Sequence, residues 1–228
     1  MSLMTEFRYA VGAFADRATD LAMPTTCAGC YRAGTTLCRD CRAVLQASLE
    51  TEPDGKSRST AVIPAPLLHL EWCAPLVGIT RRALDRLGEG GERRMSGPFG
   101  EAIAQRWTSA GTGGDVLVPV PASAASRRAR GYDAAALLAR VAGRRLRMPV
   151  VEALGRKATA APDRGGEFEV IAVEQIRGRS VVLVDDVVAT GATLVACAAA
   201  LMRAGAKAVS AVTVARDHSL VSGVATTS

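Results

Sequence analysis

Aromatic residues are scarce in this chain of 228 residues: Phe, Trp and Tyr together make up 4% of it. A surface that binds nucleic acid by stacking bases on aromatic rings is therefore disfavoured. Histidine is also rare, and because His69 and His218 lie far apart in the sequence we expect neither to be catalytic. No run of 18 apolar residues occurs, which argues against a membrane-spanning helix.

A secretory signal is not expected, because Glu6 and Asp16 interrupt the first twenty residues and no apolar stretch follows them. We therefore expect a cytoplasmic protein. In that compartment the six cysteines are better explained as metal ligands and buried thiols than as disulfides. Cys73 and Cys197 stand alone among apolar residues, and we expect them to be inert buried thiols.

The composition is otherwise that of a folded domain, with 49% hydrophobic residues and a formal net charge of +6. This charge favours anionic ligands without requiring nucleic acid. We divide the chain into an N-terminal helix and cysteine-rich unit (1–55), a main domain (56–218) and a flexible tail (219–228). Apolar residues at three- and four-residue spacing from Phe7 to Leu21 predict the helix, which packs on this protein or on a partner.

Two CxxC pairs follow that segment: Cys27 with Cys30, and Cys38 with Cys41, separated by seven residues. Each short turn can direct two sulfurs at one ion, as tetrahedral zinc coordination requires. Four cysteine ligands leave no open position, so the pattern predicts a structural zinc site. Four unpaired thiols or two disulfides remain the alternatives.

The stretch Val181–Thr193, VVLVDDVVATGAT, predicts a buried strand, a turn and the start of a helix. Asp185 and Asp186 are expected at the end of the strand, where carboxylates suit ribose hydroxyls or a divalent cation. The turn Thr190-Gly191-Ala192-Thr193 offers hydroxyls and backbone N–H groups at a helix N-terminus, which suit a phosphate. The alternative is a plain strand-turn-helix with a solvated acidic turn.

Strands and helices alternate through the second half of the chain, which predicts a parallel sheet. The strand Val116–Val118 comes one such unit before the acidic motif, and the segment Ala122–Asp133 that follows it, expected to be a loop, emerges at the same sheet edge. Arginine binds phosphate oxygens in bidentate fashion. We therefore interpret the basic residues of this segment as pyrophosphate contacts, with a solvated basic turn as the alternative: Arg127, Arg128 and Arg130, followed by Gly131.

The Val181–Thr193 motif resembles the 5-phosphoribosyl-1-pyrophosphate (PRPP) signature of type I phosphoribosyltransferases. From about Leu21 to Arg216 the chain resembles the ComF family, on its double CxxC unit, VPVP strand end, RRARGYD segment and DDV-TGAT motif. The resemblance implies an α/β fold, a Rossmann-like parallel-sheet phosphoribosyltransferase domain preceded by a zinc knuckle. It also implies that Asp185 and Asp186 hold the ribose hydroxyls, that Ala189, Thr190, Gly191, Ala192 and Thr193 wrap the 5-phosphate, and that residues 121–131 face pyrophosphate and magnesium.

The sequence departs from this family at several places, among them Gly88, where the family often has a lysine, and a shorter segment before Phe168. The usual RGFNQ segment reads RGYDA at residues 130–134, and an Arg-x-x-x-Thr-x-x-Gln stretch survives only as Arg156, Lys157 and Thr159. The resemblance implies that these losses fall where the acceptor site and the mobile catalytic loop would be. The sequence therefore supports PRPP binding more strongly than turnover.

The resemblance implies transfer of a phosphoribosyl group from PRPP to a nitrogen acceptor, through an oxocarbenium-like transition state. A ComF-like role linked to DNA uptake or processing would follow. The alternative is a non-catalytic adaptor that binds PRPP or a nucleotide and contacts single-stranded DNA or a helicase-like partner.

Overall fold

The computed structural model describes residues 26–50, 63–88, 91–157 and 168–218. The predicted helix from Phe7 to Leu21, the boundary after residue 55 and the tail 219–228 lie outside the described residues and stay predictions. Among the residues described, no helix has the length and apolar character needed to span a membrane.

A parallel sheet forms the centre of the fold, as the alternation of elements predicts. In the described residues the strands are β1 (Leu70–Pro75), β2 (Val116–Pro119), β3 (Leu154–Arg156), β4 (Phe168–Val170), β5 (Ser180–Val188) and β6 (Ala208–Arg216). The main sheet has the order β1-β6-β5-β2, and every neighbouring pair in it is parallel. Strands β2, β5 and β6 are rich in valine, whose branched side chain suits a strand that is buried on both faces.

Helices cover both faces of the sheet. They are α1 (Arg39–Glu50), α2 (Gly78–Gly88), α3 (Ser96–Ala110), α4 (Ala124–Arg130), α5 (Ala134–Leu146), α6 (Val173–Ile176) and α7 (Ala192–Arg203). Alternate residues of β5 point to opposite sides: Val182 and Val184 join the core under α3 and α5, whereas Val181 and Leu183 join the core under α7. The parallel α/β architecture is therefore confirmed.

The N-terminal cysteine-rich unit packs on this domain. Leu45 and Leu49 of α1 are buried in the same core as Ala83 of α2 and Phe99 of α3. Cys27 and Ala28, at the first CxxC pair, are also buried in that core. The cysteine unit thus shares its apolar contacts with the larger domain.

Three local features differ from the expectations. Strand β5 does not end at the acidic pair but continues to Val188, because β6 still pairs with it there. The segment Ala122–Asp133 is mostly helical, since it contains α4. Strands β3 and β4 form a separate antiparallel hairpin, outside the parallel sheet.

Candidate functional site

A cavity of about 260 Å³ opens at the carboxyl ends of β2 and β5. After β5 the chain passes through α7 to β6, which lies on the side of β5 away from β2. After β2 it passes through α5 to Val150, which pairs with β2 on the side away from β5. Neighbouring strands whose connections leave in opposite directions form a topological switch point, where open α/β sheets bind their ligands. The cavity is lined by Val120, Pro121, Ala122, Ser123, Ser126, Arg130, Asp133, Ala134, Ala135, Arg156, Asp185, Asp186 and Thr193.

The acidic pair forms one wall of this cavity. Asp185 Oδ1 accepts the backbone N–H of Asp186 at 2.9 Å, and Asp186 Oδ1 accepts that of Val187 at 2.8 Å, which fixes both carboxylates against the strand. Burial, followed by the charges of Asp186 and Asp133, raises the pKa of Asp185 well above its ordinary value. The site therefore concentrates negative charge that a cation or sugar hydroxyls would stabilise.

The turn before α7 has the geometry expected of an anion-binding loop. Gly191 caps the helix with φ +79°, a left-handed conformation that favours glycine. Thr190 Oγ1 accepts the backbone N–H of Ala192 at 3.3 Å. Of the five predicted loop residues, Thr193 lines the cavity, while Ala189, Thr190, Gly191 and Ala192 do not. The N-terminus of α7 thus borders the cavity through Thr193.

The basic segment contributes one of its three predicted arginines. Ser123 caps α4 by accepting the backbone N–H of Ser126 at 3.0 Å, and the cavity is lined by Ser123, Ser126 and Arg130. These residues are spaced by three and four, so they share one face of the helix. Arg127 and Arg128 lie on other faces and are exposed, and Gly131 ends the helix with φ +72° without lining the cavity.

Two further charged residues line the cavity and were not among the predicted site residues. Asp133 caps α5 by accepting the N–H of Ala136 through Oδ1 at 3.3 Å, and its Oδ2 accepts the N–H of Ala122 at 2.7 Å. Arg156 donates from Nε to the carbonyl of Pro121 at 2.7 Å, and its guanidinium lies 4.7 Å from the ring centre of Phe168.

The sequence held a different kind of signal for each of these two residues. An aspartate directly before an alanine-rich helix is a recognisable cap. Arg156 was singled out only by the family resemblance, and its place at the cavity depends on the β3–β4 hairpin, which local residue preferences did not predict.

The four predicted metal ligands come together at a second site. The Sγ atoms of Cys27, Cys30, Cys38 and Cys41 all lie within 4.8 Å of one another. Cys27 Sγ accepts the backbone N–H groups of Gly29 at 3.4 Å and Cys38 at 3.3 Å. Burial opposes ionisation of Cys27, but the backbone hydrogen bonds outweigh it and lower its pKa to about 6. A sulfur held as thiolate by N–H donors suits a tetrahedral metal site.

Comparison with known proteins agrees with the fold. A sequence model described as "Phosphoribosyl transferase domain" matches residues 100–222, more than half of the chain. No curated protein sequence matches the chain.

Structures with similarity to the chain include three named for PRPP or purine chemistry. Glutamine PRPP amidotransferase from B. subtilis is 19% identical, with a TM-score of 0.40, over 54% of this chain and 26% of the other. Adenine phosphoribosyltransferase from Thermoanaerobacter pseudethanolicus is 16% identical, with a TM-score of 0.40, over 56% and 83%. Purine phosphoribosyltransferase from Pyrococcus horikoshii is 20% identical, with a TM-score of 0.36, over 54% and 83%. The chain thus spans about a quarter of the amidotransferase.

Proposed function

The chain belongs to the phosphoribosyl transferase domain family, and on that premise we propose that it binds PRPP with Mg²⁺ in the cavity between β2 and β5. One observation carries the proposal: the cavity is lined by both an acidic pair and separate cationic side chains. Asp185 and Asp186 come from β5, whereas Arg130 comes from α4 and Arg156 from β3. PRPP needs both kinds of surface, because it joins a hydroxyl-bearing ribose to a highly anionic pyrophosphate.

The proposed orientation follows from these positions. The 5-phosphate lies at residues 189–193, where the N-terminus of α7 supplies N–H groups and positive dipole. The ribose hydroxyls face Asp185 and Asp186. The pyrophosphate lies toward α4, where Arg130 and the hydroxyls of Ser123 and Ser126 line the cavity. Arg127 and Arg128 have no part in this orientation.

The carboxylates also fit a divalent cation. Mg²⁺ is bound in proteins mainly through carboxylate and phosphate oxygens, and two adjacent carboxylates with a raised pKa at Asp185 are stabilised by positive charge. When bound, Mg²⁺ neutralises part of the charge on the pyrophosphate. The chain's own contribution is to hold the ribose at the acidic pair and to bind the leaving group with its arginines.

If the protein turns PRPP over, the bond between ribose C1 and the pyrophosphate oxygen breaks and its electron pair leaves with pyrophosphate. A nitrogen acceptor then forms the new bond to C1 and releases its proton to water. Asp185 and Asp186 stabilise the positive charge that develops on the ribose, and Arg130 and Arg156 stabilise the leaving pyrophosphate. If it does not turn over, the same contacts make a PRPP-binding adaptor.

Calorimetric titration with PRPP and Mg²⁺ tests the binding proposal. We expect the wild type to bind and the Asp185→Asn/Asp186→Asn variant to bind at least about tenfold more weakly, since each lost charged contact contributes about 1.5–3 kcal/mol. Arg130→Ala should also weaken binding, whereas Arg128→Ala is a matched control on the exposed face of the same helix. A wild type that binds no PRPP would rule the proposal out.

Turnover is tested separately, because binding and chemistry are different claims. Pyrophosphate release is measured with a panel of nucleobases and amines as acceptors. Release that requires one acceptor supports a transferase. Binding without release across the panel supports the adaptor.

The second site is proposed to hold one structural zinc ion, because four cysteine sulfurs cluster within 4.8 Å and leave no ligand position for a substrate. Elemental analysis of protein purified without chelator should give about one zinc per chain. A metal-free protein with the same fold would contradict the assignment.

We propose a ComF-like role in DNA handling as a second function, favoured by one surface feature. Tyr31 is 65% exposed in the cysteine unit and is followed by the exposed Arg32. An exposed aromatic ring beside a cation suits a stacked base of single-stranded DNA. A gel shift that weakens with salt in wild type and is lost in Tyr31→Ala would support this role, and no shift at low salt would exclude it.

A further inference from the structure

The cysteine unit is attached to one side of α2. Arg86 donates to Thr26 Oγ1 at 2.6 Å, and Arg82 donates from Nε to the carbonyl of Ala28 at 3.3 Å. Ala28 is 1% exposed and lies within the first CxxC pair, next to Cys27. Both acceptors are held in place by the turn that brings the four sulfurs together. These two hydrogen bonds thus connect α2 to the segment that carries the first CxxC pair.

The C-terminal end of the same helix is attached to the PRPP cavity. The hydroxyl of Tyr132 donates to the carbonyl of Leu87, which lies in the last turn of α2. Arg93, just beyond α2, lies 5.0 Å over the Tyr132 ring and donates to the carbonyl of Gly131 at 3.4 Å. Tyr132 stands between two cavity residues, Arg130 and Asp133, so these contacts fix the chain segment that carries both.

We propose that metal bound at the cysteine cluster is thermodynamically coupled to ligand binding in the PRPP cavity, with α2 and Tyr132 as the connection. Metal holds Thr26 and Ala28 in place, these hold Arg86 and Arg82 on α2, and the carbonyl of Leu87 then positions Tyr132. Without metal the cluster opens, α2 loses two anchoring contacts, and Arg130 and Asp133 are held less firmly. Tyr132 acts here as a positioning residue. The PRPP part of this inference rests on the function proposed above.

Coupling of this kind is reciprocal, which makes it measurable from both sites. If metal raises the affinity for PRPP by some factor, PRPP raises the affinity for metal by the same factor. Typical coupling free energies correspond to factors of about 5 to 150. We expect a factor of at least about five, because the connection consists of several hydrogen bonds and one stacked contact.

The test compares the full chain with zinc and after zinc removal, with the chelator dialysed away before Mg²⁺ is added. The PRPP dissociation constant is measured by calorimetry, and zinc affinity by competition with a chromophoric chelator, with and without PRPP. In wild type the two coupling factors should agree. Tyr132→Phe keeps the ring under Arg93 but loses the hydroxyl, and should bring both factors close to one. Thr108→Val likewise removes a hydroxyl that donates to a backbone carbonyl, but on α3 and in neither site, and should leave them unchanged.

A readout without ligand separates this inference from the proposed function. Zinc should slow amide hydrogen exchange in residues 122–136 of wild type, and have a much smaller effect in Tyr132→Phe. If PRPP does not bind but this protection is seen, the proposed function fails and the connection stands. Equal exchange and equal PRPP affinity with and without zinc overturn the inference. If Tyr132→Phe shows the same coupling factors as wild type, the connection does not pass through Tyr132. Global unfolding of wild type on zinc removal would also contradict a connection through Tyr132.

Discussion

Gly29, between the first two cysteines, is the residue whose enlargement should perturb the metal site most directly. A Cβ atom at this position would lie 2.8 Å from Cβ of Cys41 and 2.9 Å from Cδ1 of Ile79, and would contact Cys41 Sγ still more closely. Cβ atoms do not approach other atoms this closely, so Gly29→Ala forces the first CxxC turn away from the second and away from α2. Overpacking of this kind costs about 1–3 kcal/mol.

This cost falls on the assembled cluster, so it should be seen as weaker zinc binding. A loss of about 1–3 kcal/mol corresponds to a dissociation constant roughly 5- to 150-fold higher, measured by competition with a chromophoric chelator. Gly88→Ala is the matched control, because it adds the same methyl group to the end of α2, where nothing lies within 4 Å. If Gly29→Ala and Gly88→Ala bind zinc equally well, the close packing of the cluster against α2 is refuted.

Three further predictions concern the cavity and its supporting helices. Asp185→Asn should raise stability at neutral pH by about 0.5–2 kcal/mol while weakening PRPP binding. Because the folded-state pKa of Asp185 is raised, its ionisation costs stability as pH rises through that pKa, and the variant avoids this cost. A variant no more stable than wild type in thermal melts from pH 4 to 8 would contradict this. Gly100→Ala should destabilise by about 1–3 kcal/mol, since its Cβ would lie 2.7 Å from Val141 Cγ1, whereas Gly97→Ala on the same helix meets nothing within 4 Å and should not; denaturant unfolding distinguishes them. Asp133→Asn should cost about 1–3 kcal/mol in the same assay, because an amide presents one acceptor oxygen where two N–H groups now bind.

The parts of the site that lie in one continuous segment could be predicted from the sequence. The strand, acidic pair, glycine turn and helix of Val181–Thr193 follow from local residue preferences, and the two CxxC pairs fix their own short turns. The structure brings the four cysteines together and places Asp185, Asp186 and Thr193 at one cavity. In both cases the chemistry is encoded within a few residues of the chain.

The parts that depend on distant packing could not be predicted in the same way. If the basic segment is a loop, nothing distinguishes its three arginines as candidate anion contacts. In the structure the segment forms α4, which places Arg130 at the cavity and leaves Arg127 and Arg128 exposed. Arg156 reaches the cavity because Phe168, twelve residues later, pairs with it across the β3–β4 hairpin. Neither outcome has a local signal.

The departure from the RGFNQ segment at residues 130–134 has a structural counterpart here. Asp133 stands where that segment has asparagine, and both of its carboxylate oxygens are used: Oδ1 caps α5 and Oδ2 binds the N–H of Ala122. Tyr132 stands where it has phenylalanine, and the added hydroxyl binds the carbonyl of Leu87. Asp133 therefore joins the two ends of the basic segment, and Tyr132 ties the segment to α2. The segment that departs from the family pattern is thus held in place beside the acidic pair, and this fixed position suits the pyrophosphate contact proposed above.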